Sequence, residues 1–228
     1  AIGPVMVIQP QGIFYTRLKP EDIHEIVVSH LLNNNIVVEK TYFDSKAKQY
    51  IPYIEQIPYF NNQVKIALRN CGAIDYSSLD EYIAQDGFMA LAKVLSQMQP
   101  IDVVNEIKKS GLRGRGGGGF PTGIKWEAGL KAEGDVKYLV CNADEGDPGA
   151  CMDRSILEGD PFSIIEGMLI AGYAIGARKG YTYVRAEYPL AVERFASAID
   201  WARKAGLLGK NILQSGFDFD IEIRIGAG

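Results

Sequence analysis

Two stretches of the sequence combine residue types that could hold a cofactor. The first is GLRGRGGGGFPTGIKW at positions 111–126, whose first eleven residues we call the glycine loop. The second is NADEGDPG at positions 142–149, the acidic loop, which offers one amide and three carboxylates. A glycine-lined bend that leads into a helix leaves backbone N–H groups free, so it can receive an anionic, planar molecule. An amide and carboxylates can hydrogen-bond the edges of a ring and the hydroxyls of a ribose.

The glycine loop matches neither of the common phosphate-binding motifs. Gly114, Gly116 and Gly119 satisfy G-x-G-x-x-G, but the dinucleotide fingerprint requires a strand directly before it. A helix over residues 100–109 is predicted there instead, which argues against the standard Rossmann site. The P-loop motif also fails, because the glycines before Lys125 have the wrong spacing and no hydroxyl residue follows the lysine.

Two other interpretations of the glycine loop stay open. Residues 113–117 resemble one unit of the Arg-Gly box of RNA-binding proteins, but such boxes repeat in long tracts and this chain has a net charge of −4. A flexible linker is the plain structural interpretation. Against a linker, Phe120-Pro121 stiffens the segment, and Thr122 is predicted to cap a helix that runs through Trp126.

The acidic loop follows a predicted buried strand over residues 137–142. Ligands of parallel α/β sheets bind at the carboxyl ends of the strands, so the loop has a suitable place in the fold. A solvated acidic turn is the simplest interpretation. A calcium loop of the EF-hand type is excluded, because the third position counted from Asp144 is Gly146 rather than an oxygen ligand. Hydrogen bonding to a heterocycle or a ribose is the remaining alternative.

Length and composition exclude several classes of protein. The 228 residues suffice for one or two domains with a substantial core. The acidic balance argues against a nucleic-acid partner, and the lack of a run of about 18 apolar residues predicts no membrane span. Three scattered cysteines without a CxxC pattern fit a reducing cytoplasm. His24 and His30 are six residues apart and do not share a helix face, so we expect no metal ligands.

The first part of the chain predicts a small strand–strand–helix unit, then a connector and two helical regions. The helix that begins at Pro20 has an apolar face of Ile23, Ile26, Val27, His30 and Leu31. The further elements expected here are strands at 4–8, 13–16, 36–38 and 64–69, an ordered connector at 42–62, a helical region at 79–98 that Ser77 or Ser78 caps and Gly87 interrupts, and a helix at 100–109 that ends at Gly111.

The second part predicts a more regular alternation of strands and helices. Asp160-Pro161 is a strong helix start, with the aspartate as N-cap and the proline as first helical residue. Alternation of strands and helices predicts an α/β layer with parallel strands. The elements expected are strands at 137–142, 181–185 and 217–225, and helices at 160–177 and 189–205.

Together, GLRGRGGGGFPTGIKW and CNADEGDPGACMDRSILEGDP resemble the family of FMN-binding, NADH-oxidising subunits of respiratory complex I. The pair also resembles the diaphorase subunits of NAD-linked [FeFe]-hydrogenases and formate dehydrogenases. IPYFNNQVKIALRNCGAID is more similar to the hydrogenase type. The resemblance implies an α/β fold with a Rossmann-like FMN-binding layer built on a non-standard glycine loop. Residues 70–228 would be the N-terminal part of the FMN/NADH-binding domain, 41–69 a connector, and 1–40 the C-terminal half of a thioredoxin-like [2Fe–2S] ferredoxin domain.

The resemblance also implies the residues of the site. FMN would lie on the glycine loop with the nicotinamide stacked on its ring, Phe120 would contact the adenine, and Asp147 the ribose. No side chain is expected to act as a catalyst in the hydride step. The family often has a second aromatic residue where this chain has Ala128. The cofactor-binding residues implied are Gly114, Arg115, Gly116, Gly117, Phe120, Lys125, Asn142, Asp144, Glu145, Asp147, Gly226 and Gly228.

The activity implied is that of a cytoplasmic NAD(P)H:acceptor oxidoreductase subunit that passes electrons from FMN to iron–sulfur clusters. Its expected partners are the iron–sulfur and catalytic subunits of a multi-subunit, electron-bifurcating hydrogenase. Complex I, an NAD-dependent formate dehydrogenase and a flavin-free structural subunit are the alternatives. The family continues into a Cys-Gly-Glu-Glu segment and a four-cysteine [4Fe–4S] motif. Neither these nor the ferredoxin ligands occur in this sequence, so both clusters are expected only in a longer chain.

Overall fold

The computed structural model describes residues 2–227, which form two compact units. The boundary between the units lies between Lys65 and Ile66. Each unit has its own core, and each is described separately below. Among the described residues, no helix is both long and apolar enough to cross a bilayer.

The first unit begins with an antiparallel hairpin. Strand β1 (Val5–Ile8) pairs with β2 (Ile13–Thr16), and the turn between them lies where the sequence predicts it. Helix α1 (Asp22–Ile26) follows and continues as a π-helical segment, Val27–Leu32. The side chains buried in this core are those of Ile13, Tyr15, Leu18, Ile26 and Val37.

The buried face of this helix differs from the predicted one. Ile26 and His30 are buried, whereas Ile23, Val27 and Leu31 are exposed. Polar contacts explain the rotation. The buried Asp22 carboxylate accepts a hydrogen bond from Lys40 at 2.6 Å, and Nδ1 of His30 lies 2.9 Å from the Tyr15 hydroxyl. The change to π-helical hydrogen bonding also shifts the phase that a 3.6-residue period assumes.

Two short strands expected near the connector are wrong. Residues 36–38 lead into a 3₁₀ turn, Val38–Lys40, and residues 64–69 form no strand. Val64 and Ile66 are exposed, since nothing pairs with this segment within the described part of the chain. Between them, the connector is ordered as predicted and folds into β3 (Tyr42–Asp44), β4 (Gln49–Ile51) and α2 (Pro58–Asn61).

The second unit has a four-stranded sheet with the order β5-β6-β8-β7. Strands β5, β6 and β8 run parallel, which confirms the predicted α/β class, and the antiparallel edge strand β7 was not predicted. The strands are β5 (Tyr138–Ala143), β6 (Lys179–Arg185), β7 (Gly209–Ile212) and β8 (Phe217–Gly226). The helices are α3 (Leu79–Ala84), α4 (Met89–Gln97), α5 (Pro100–Ser110), α6 (Thr122–Lys131), α7 (Met152–Gly159), α8 (Pro161–Ile175) and α9 (Pro189–Lys204).

Helix α8 is the centre of this unit. It packs on strands β5, β6 and β8 and on helices α4, α5, α6, α7 and α9. Phe162, Ile165 and Leu169 of α8 are fully buried. Gly172 lets the helix approach the sheet closely, because a Cβ atom there would lie 2.5 Å from the Phe219 ring. A helix that is apolar on most sides must be surrounded, so the other elements are arranged around α8.

A buried carboxylate on α8 fixes the joint between α3 and α4. Glu166 accepts hydrogen bonds from the Tyr82 hydroxyl at 2.7 Å and from the backbone N–H groups of Phe88 and Leu91 at 2.9 and 3.1 Å. The sequence correctly predicts the break at Gly87, where a Cβ atom would overlap the Tyr82 ring. Buried charges are tolerated when donors surround them, and here three donors do so.

Replacing Glu166 by Gln should lower the free energy of unfolding of this unit by about 3 kcal/mol. The amide NH₂ group would face a backbone donor, either the Leu91 N–H or the Phe88 N–H. The effect can be measured by denaturant unfolding followed through Trp126 and Trp201, which both pack against this core. The matched control is Glu106→Gln at an exposed position of helix α5, which should change stability by less than about 0.5 kcal/mol. Equal losses in the two variants would contradict the role given to Glu166.

Candidate functional site

The acidic loop begins where β5 ends, at the carboxyl edge of the parallel sheet. Ala143 of β5 is paired in register with Val184 of β6. Arg185, the next residue of β6, is paired with Gly226 of β8. Parallel strands bring their carboxyl ends to one edge, so Asp144, Arg185 and Gly226 all lie there.

The glycine loop is tied at its base. The backbone N–H of Gly114 donates to the carbonyl of Phe120 at 2.9 Å, and that of Thr122 donates to Leu112 at 2.9 Å. The Arg113 guanidinium also donates to the Gly119 carbonyl at 3.0 Å. These bonds close the loop into a hairpin-like bend, which is not how a flexible linker is held.

The backbone explains only some of the glycines in this loop. Gly117 and Gly119 have φ angles of 93° and 57°, which disfavour any other residue. Gly116 and Gly118 lack such angles, and a Cβ atom at either position would meet no other described atom within 4 Å. The fold therefore leaves bare backbone with open space over it, which suits the close approach of a flat ligand.

The start of α6 differs from the prediction in one respect. Thr122 is the first residue of the helix rather than its N-cap, and the helix has no side-chain cap within the described residues. The N-cap position belongs to Pro121, and the backbone N–H of Thr122 is already bonded to Leu112. Gly123 has a packing role, because a Cβ atom there would lie 2.6 Å from the backbone nitrogen of Lys108 on α5.

Cationic and aromatic side chains surround the mouth of the glycine loop. Phe120 is exposed over 52% of its surface. The Lys125 Nζ atom lies 5.9 Å from the centroid of the Phe120 ring. Arg115 and Lys125 are both exposed. A ring and two mobile positive charges can contact an adenine base or phosphate groups.

Two residues of the acidic loop have polar roles within the protein. The side-chain oxygen of Asn142 accepts a hydrogen bond from the Asp144 backbone N–H at 3.0 Å, which leaves its NH₂ group available to a ligand. The Glu145 carboxylate accepts the backbone N–H of Asp153 at 2.9 Å and the Tyr188 hydroxyl at 3.4 Å. Glu145 is thus engaged at the N-terminus of α7, a helix that was not predicted. Burial, with the Glu145 charge nearby, raises the pKa of Asp153.

Like Asp160, Arg185 and Arg194, Asp144 has a buried side-chain atom without a hydrogen-bond partner among the described residues. Its Oδ1 atom is buried and has no hydrogen-bond partner among residues 2–227. A buried carboxylate oxygen without a donor is costly, so such an atom usually awaits a ligand or a bound water. A flavin ring offers N–H groups, and the residues present therefore fit FMN at this position. Asp147, by contrast, is exposed.

Arg185 and Tyr188 are part of the site and were not predicted. The Arg185 guanidinium donates to the backbone carbonyl of Glu145 and to the Glu187 carboxylate at 2.6 Å. The second bond lowers the pKa of Glu187. The Tyr188 ring centroid lies 5.2 Å from the Arg185 guanidinium and 5.6 Å from that of Arg154. The position of Arg185 at the carboxyl end of a predicted strand is the one signal that marked it in the sequence.

The remaining expected residues lie at the end of β8 and on β5. At Gly226, a Cβ atom would overlap the Tyr183 hydroxyl, so a larger residue there would require the Tyr183 side chain to move. Gly228 lies outside the described residues. Burial raises the pKa of the Cys141 thiol to about 11, so this side chain is a neutral thiol at pH 7.

Known proteins match this chain over the region of both loops. The chain is 63% identical over 166 residues to the NADP-reducing hydrogenase subunit HndC of Solidesulfovibrio fructosivorans, covering 73% of this chain and 34% of the relative. It is 49% identical over 163 residues to an NADH-quinone oxidoreductase subunit of Rhizobium meliloti (strain 1021), covering 72% and 39%. The chain thus spans little more than a third of the length of these relatives.

A solved structure and a family model agree with these relatives. A chain in the crystal structure of an air-oxidized NAD⁺-reducing [NiFe]-hydrogenase is similar with a TM-score of 0.55 and 25% identity, covering 100% of this chain and 34% of that one. The model of the Nuo51 FMN-binding domain matches residues 107–228, which include the glycine loop from Gly111 onward, the acidic loop and the parallel sheet. This chain therefore belongs to the Nuo51 FMN-binding domain family.

Proposed function

We propose that this chain is the FMN- and NAD(P)H-binding part of an oxidoreductase subunit in a multi-subunit hydrogenase. The observation that carries the proposal is the buried, unpartnered carboxylate oxygen of Asp144 in a unit that also holds a loop of bare backbone. Membership of an FMN-binding family supports the choice of flavin. The 63% identity to a subunit of an NADP-reducing hydrogenase favours a hydrogenase over complex I or a formate dehydrogenase.

The cofactor supplies the redox chemistry, and this chain supplies binding and orientation. When bound, FMN accepts a hydride from a reduced nicotinamide and passes electrons singly to iron–sulfur clusters. Bare backbone at Gly116 and Gly118 gives two stacked rings room against the protein. When the flavin and nicotinamide rings are held in one geometry, hydride transfer no longer requires a bimolecular encounter. This positioning can account for a large part of the rate enhancement of hydride transfer.

Polar side chains of the two loops orient the ligands. The Oδ1 atom of Asp144 accepts a ring N–H, and the free NH₂ group of Asn142 donates to a ring carbonyl. Lys125 and Arg115 balance the charge of the phosphates or of the reduced ring. Phe120 stacks on the adenine and Asp147 accepts ribose hydroxyls. Glu145 organises the N-terminus of α7, and no side chain needs to move a proton during hydride transfer.

The organisation of the longer protein is part of the same proposal. Residues 1–40 are assigned to the C-terminal half of a thioredoxin-like [2Fe–2S] ferredoxin domain, 41–69 to a connector and 70–228 to the start of the flavin domain. Partner iron–sulfur and catalytic subunits accept the electrons. A cytoplasmic location is supported by the sequence, since its three cysteines are scattered and form no CxxC pattern.

The test is an absorbance spectrum of the native, full-length protein in its complex. The two absorption bands of a flavin should be present and should bleach when a reduced nicotinamide is added anaerobically. Adding NADH and NADPH in separate titrations decides which one is the substrate. Hydrogen-dependent reduction of the oxidised nicotinamide by the complex distinguishes a hydrogenase from a quinone reductase. Absence of flavin from the native complex would contradict the proposal.

Replacing Gly116 by Ala should weaken FMN binding about tenfold with little change in stability. The new Cβ atom meets nothing in the described chain, so only a ligand on the loop would be displaced. The measurement is a titration of the deflavinated protein with FMN, together with a thermal melt. Gly167→Ala is the matched control, because its Cβ also meets nothing within 4 Å but it belongs to helix α8 rather than to either loop. Unchanged FMN affinity in Gly116→Ala would argue against this position of the ring.

Replacing Lys125 by Ala should weaken FMN retention or shift the reduction potential of the flavin to a lower value. The reason is the loss of a positive charge that favours phosphates and the reduced ring. Lys131→Ala is the control on the same helix, because Lys131 is exposed and pairs with Glu127 on the surface. Flavin content and potential equal to those of the unmodified protein would show that Lys125 has no such role.

A further inference from the structure

We propose that Arg185 is a positioning residue of the flavin site, which fixes the backbone of the acidic loop so that Asp144 keeps a free carboxylate oxygen for the bound ring. The inference rests on the proposed function. The inference adds Arg185 to the site. This residue lies on β6, outside the sequence motifs of both loops. Arg185 acts through Glu145 and Asp144 rather than by touching the reacting atoms.

The position of Arg185 allows it to bridge two strands of the sheet. It is the last residue of β6 and follows Val184, the register partner of Ala143 at the end of β5. Its guanidinium lies beside the Glu145–Gly146 peptide, one residue beyond Asp144. The side chain is only 17% exposed, so its hydrogen bonds are largely shielded from competing water.

The hydrogen bonds of Arg185 hold the Glu145–Gly146 peptide, one residue beyond Asp144. One N–H donates to the backbone carbonyl of Glu145, and another donates to the Glu187 carboxylate, which keeps the fork in place. The Tyr188 hydroxyl lies 3.3 Å from the same Glu145 carbonyl. With the Glu145 carboxylate bonded to Asp153, Glu145 is held at its backbone and at its side chain.

Asp144 lies between two fixed points as a consequence. On one side β5 is paired to β6 through Ala143, and on the other side Glu145 is held by Arg185. Its own backbone N–H is bonded to Asn142. With its backbone held on both sides, Asp144 keeps the place in the loop at which its Oδ1 atom is buried without a partner. Preorganised acceptors of this kind bind a ligand without a further ordering cost.

The fork geometry of arginine distinguishes this role from that of a simple positive charge. A guanidinium donates in two directions within one plane and stacks on an aromatic ring, as it does here on Tyr188. A lysine ammonium keeps the charge but cannot hold the carbonyl, the carboxylate and the ring together. A purely electrostatic role therefore predicts rescue by Arg185→Lys, and a positioning role predicts none.

The experiment is a double-mutant cycle on the deflavinated, full-length native protein, with FMN affinity as the readout. Arg185→Lys and Asp144→Asn should each raise the FMN dissociation constant about tenfold, and the double variant should be close to either single one rather than about 100-fold weaker. Such coupling means that Asp144 contributes only while Arg185 holds it. Additive effects, or Arg185→Lys behaving like the unmodified protein, would overturn the inference.

Arg203→Lys is the matched control for this cycle. Arg203 also donates to a backbone carbonyl, that of Ile221 at 2.9 Å, and to the Asp220 carboxylate at 3.0 Å. Asp220 pairs with Lys179 at the opposite end of β6, about 20 Å from Arg185. Arg203→Lys should change the FMN dissociation constant less than about twofold and add independently to Asp144→Asn. Coupling of the same size at Arg203 would overturn the inference.

A second readout does not need the flavin. In the flavin-free protein, the backbone N–H of Asp153 should exchange with deuterium at least about tenfold faster in Arg185→Lys, since the loop that protects it is loosened. Tyr188→Phe removes only a hydroxyl and should give a smaller change in the same direction. If the unmodified protein bound no FMN, the proposed function would fail, and unchanged exchange in Arg185→Lys would separately overturn the role of Arg185.

Discussion

The parallel pairing of β5 with β6, and of β6 with β8, is the constraint on which the candidate site depends. It places the residues that follow each strand at one edge, although Asp144, Arg185 and Gly226 are widely separated along the chain. Parallel strands require crossover connections, and here α8 and α9 provide them. A one-residue slip of β5 would turn Asp144 to the other face of the sheet.

Burial of α8 keeps that register in place. Its side chains fill the space behind the sheet, where Phe162, Ile165 and Leu169 are fully buried. Gly172 and Gly180 admit the Phe219 ring at distances that a larger residue would not allow. Tight packing of this kind ties the helix to β6 and β8. The loop at the carboxyl edge is therefore supported by a rigid layer, as a binding site for a flat ring requires.

Local patterns in the sequence predicted this layer well, because its elements follow from periodicity and end signals. The break at Gly87, the start at Pro161 and the C-terminal Gly111 are all confirmed. Helix α7 was not predicted because it has only eight residues and only Leu157 among them is buried, so it lacks a clear apolar face. The predicted buried face of the helix in the first unit was wrong because Asp22 is buried in an ion pair with Lys40, 18 residues away. A local hydrophobic period cannot predict a contact between residues so far apart in the sequence.

The parts of the site that the sequence could not predict are those that depend on contacts between distant residues. Glycines and carboxylates marked both loops, yet their composition alone fits a solvated turn and a linker equally well. Two features of the folded chain distinguish these interpretations, because each lowers the stability of the protein and no contact within the described residues compensates for it. Gly116 and Gly118 are glycines that neither backbone angle nor packing requires, and Asp144 buries a carboxylate oxygen without a donor. A solvated turn does not explain the buried oxygen of Asp144, and a flexible linker does not explain the hydrogen bonds that close the glycine loop. A ligand that lies on bare backbone and donates an N–H accounts for each of these features.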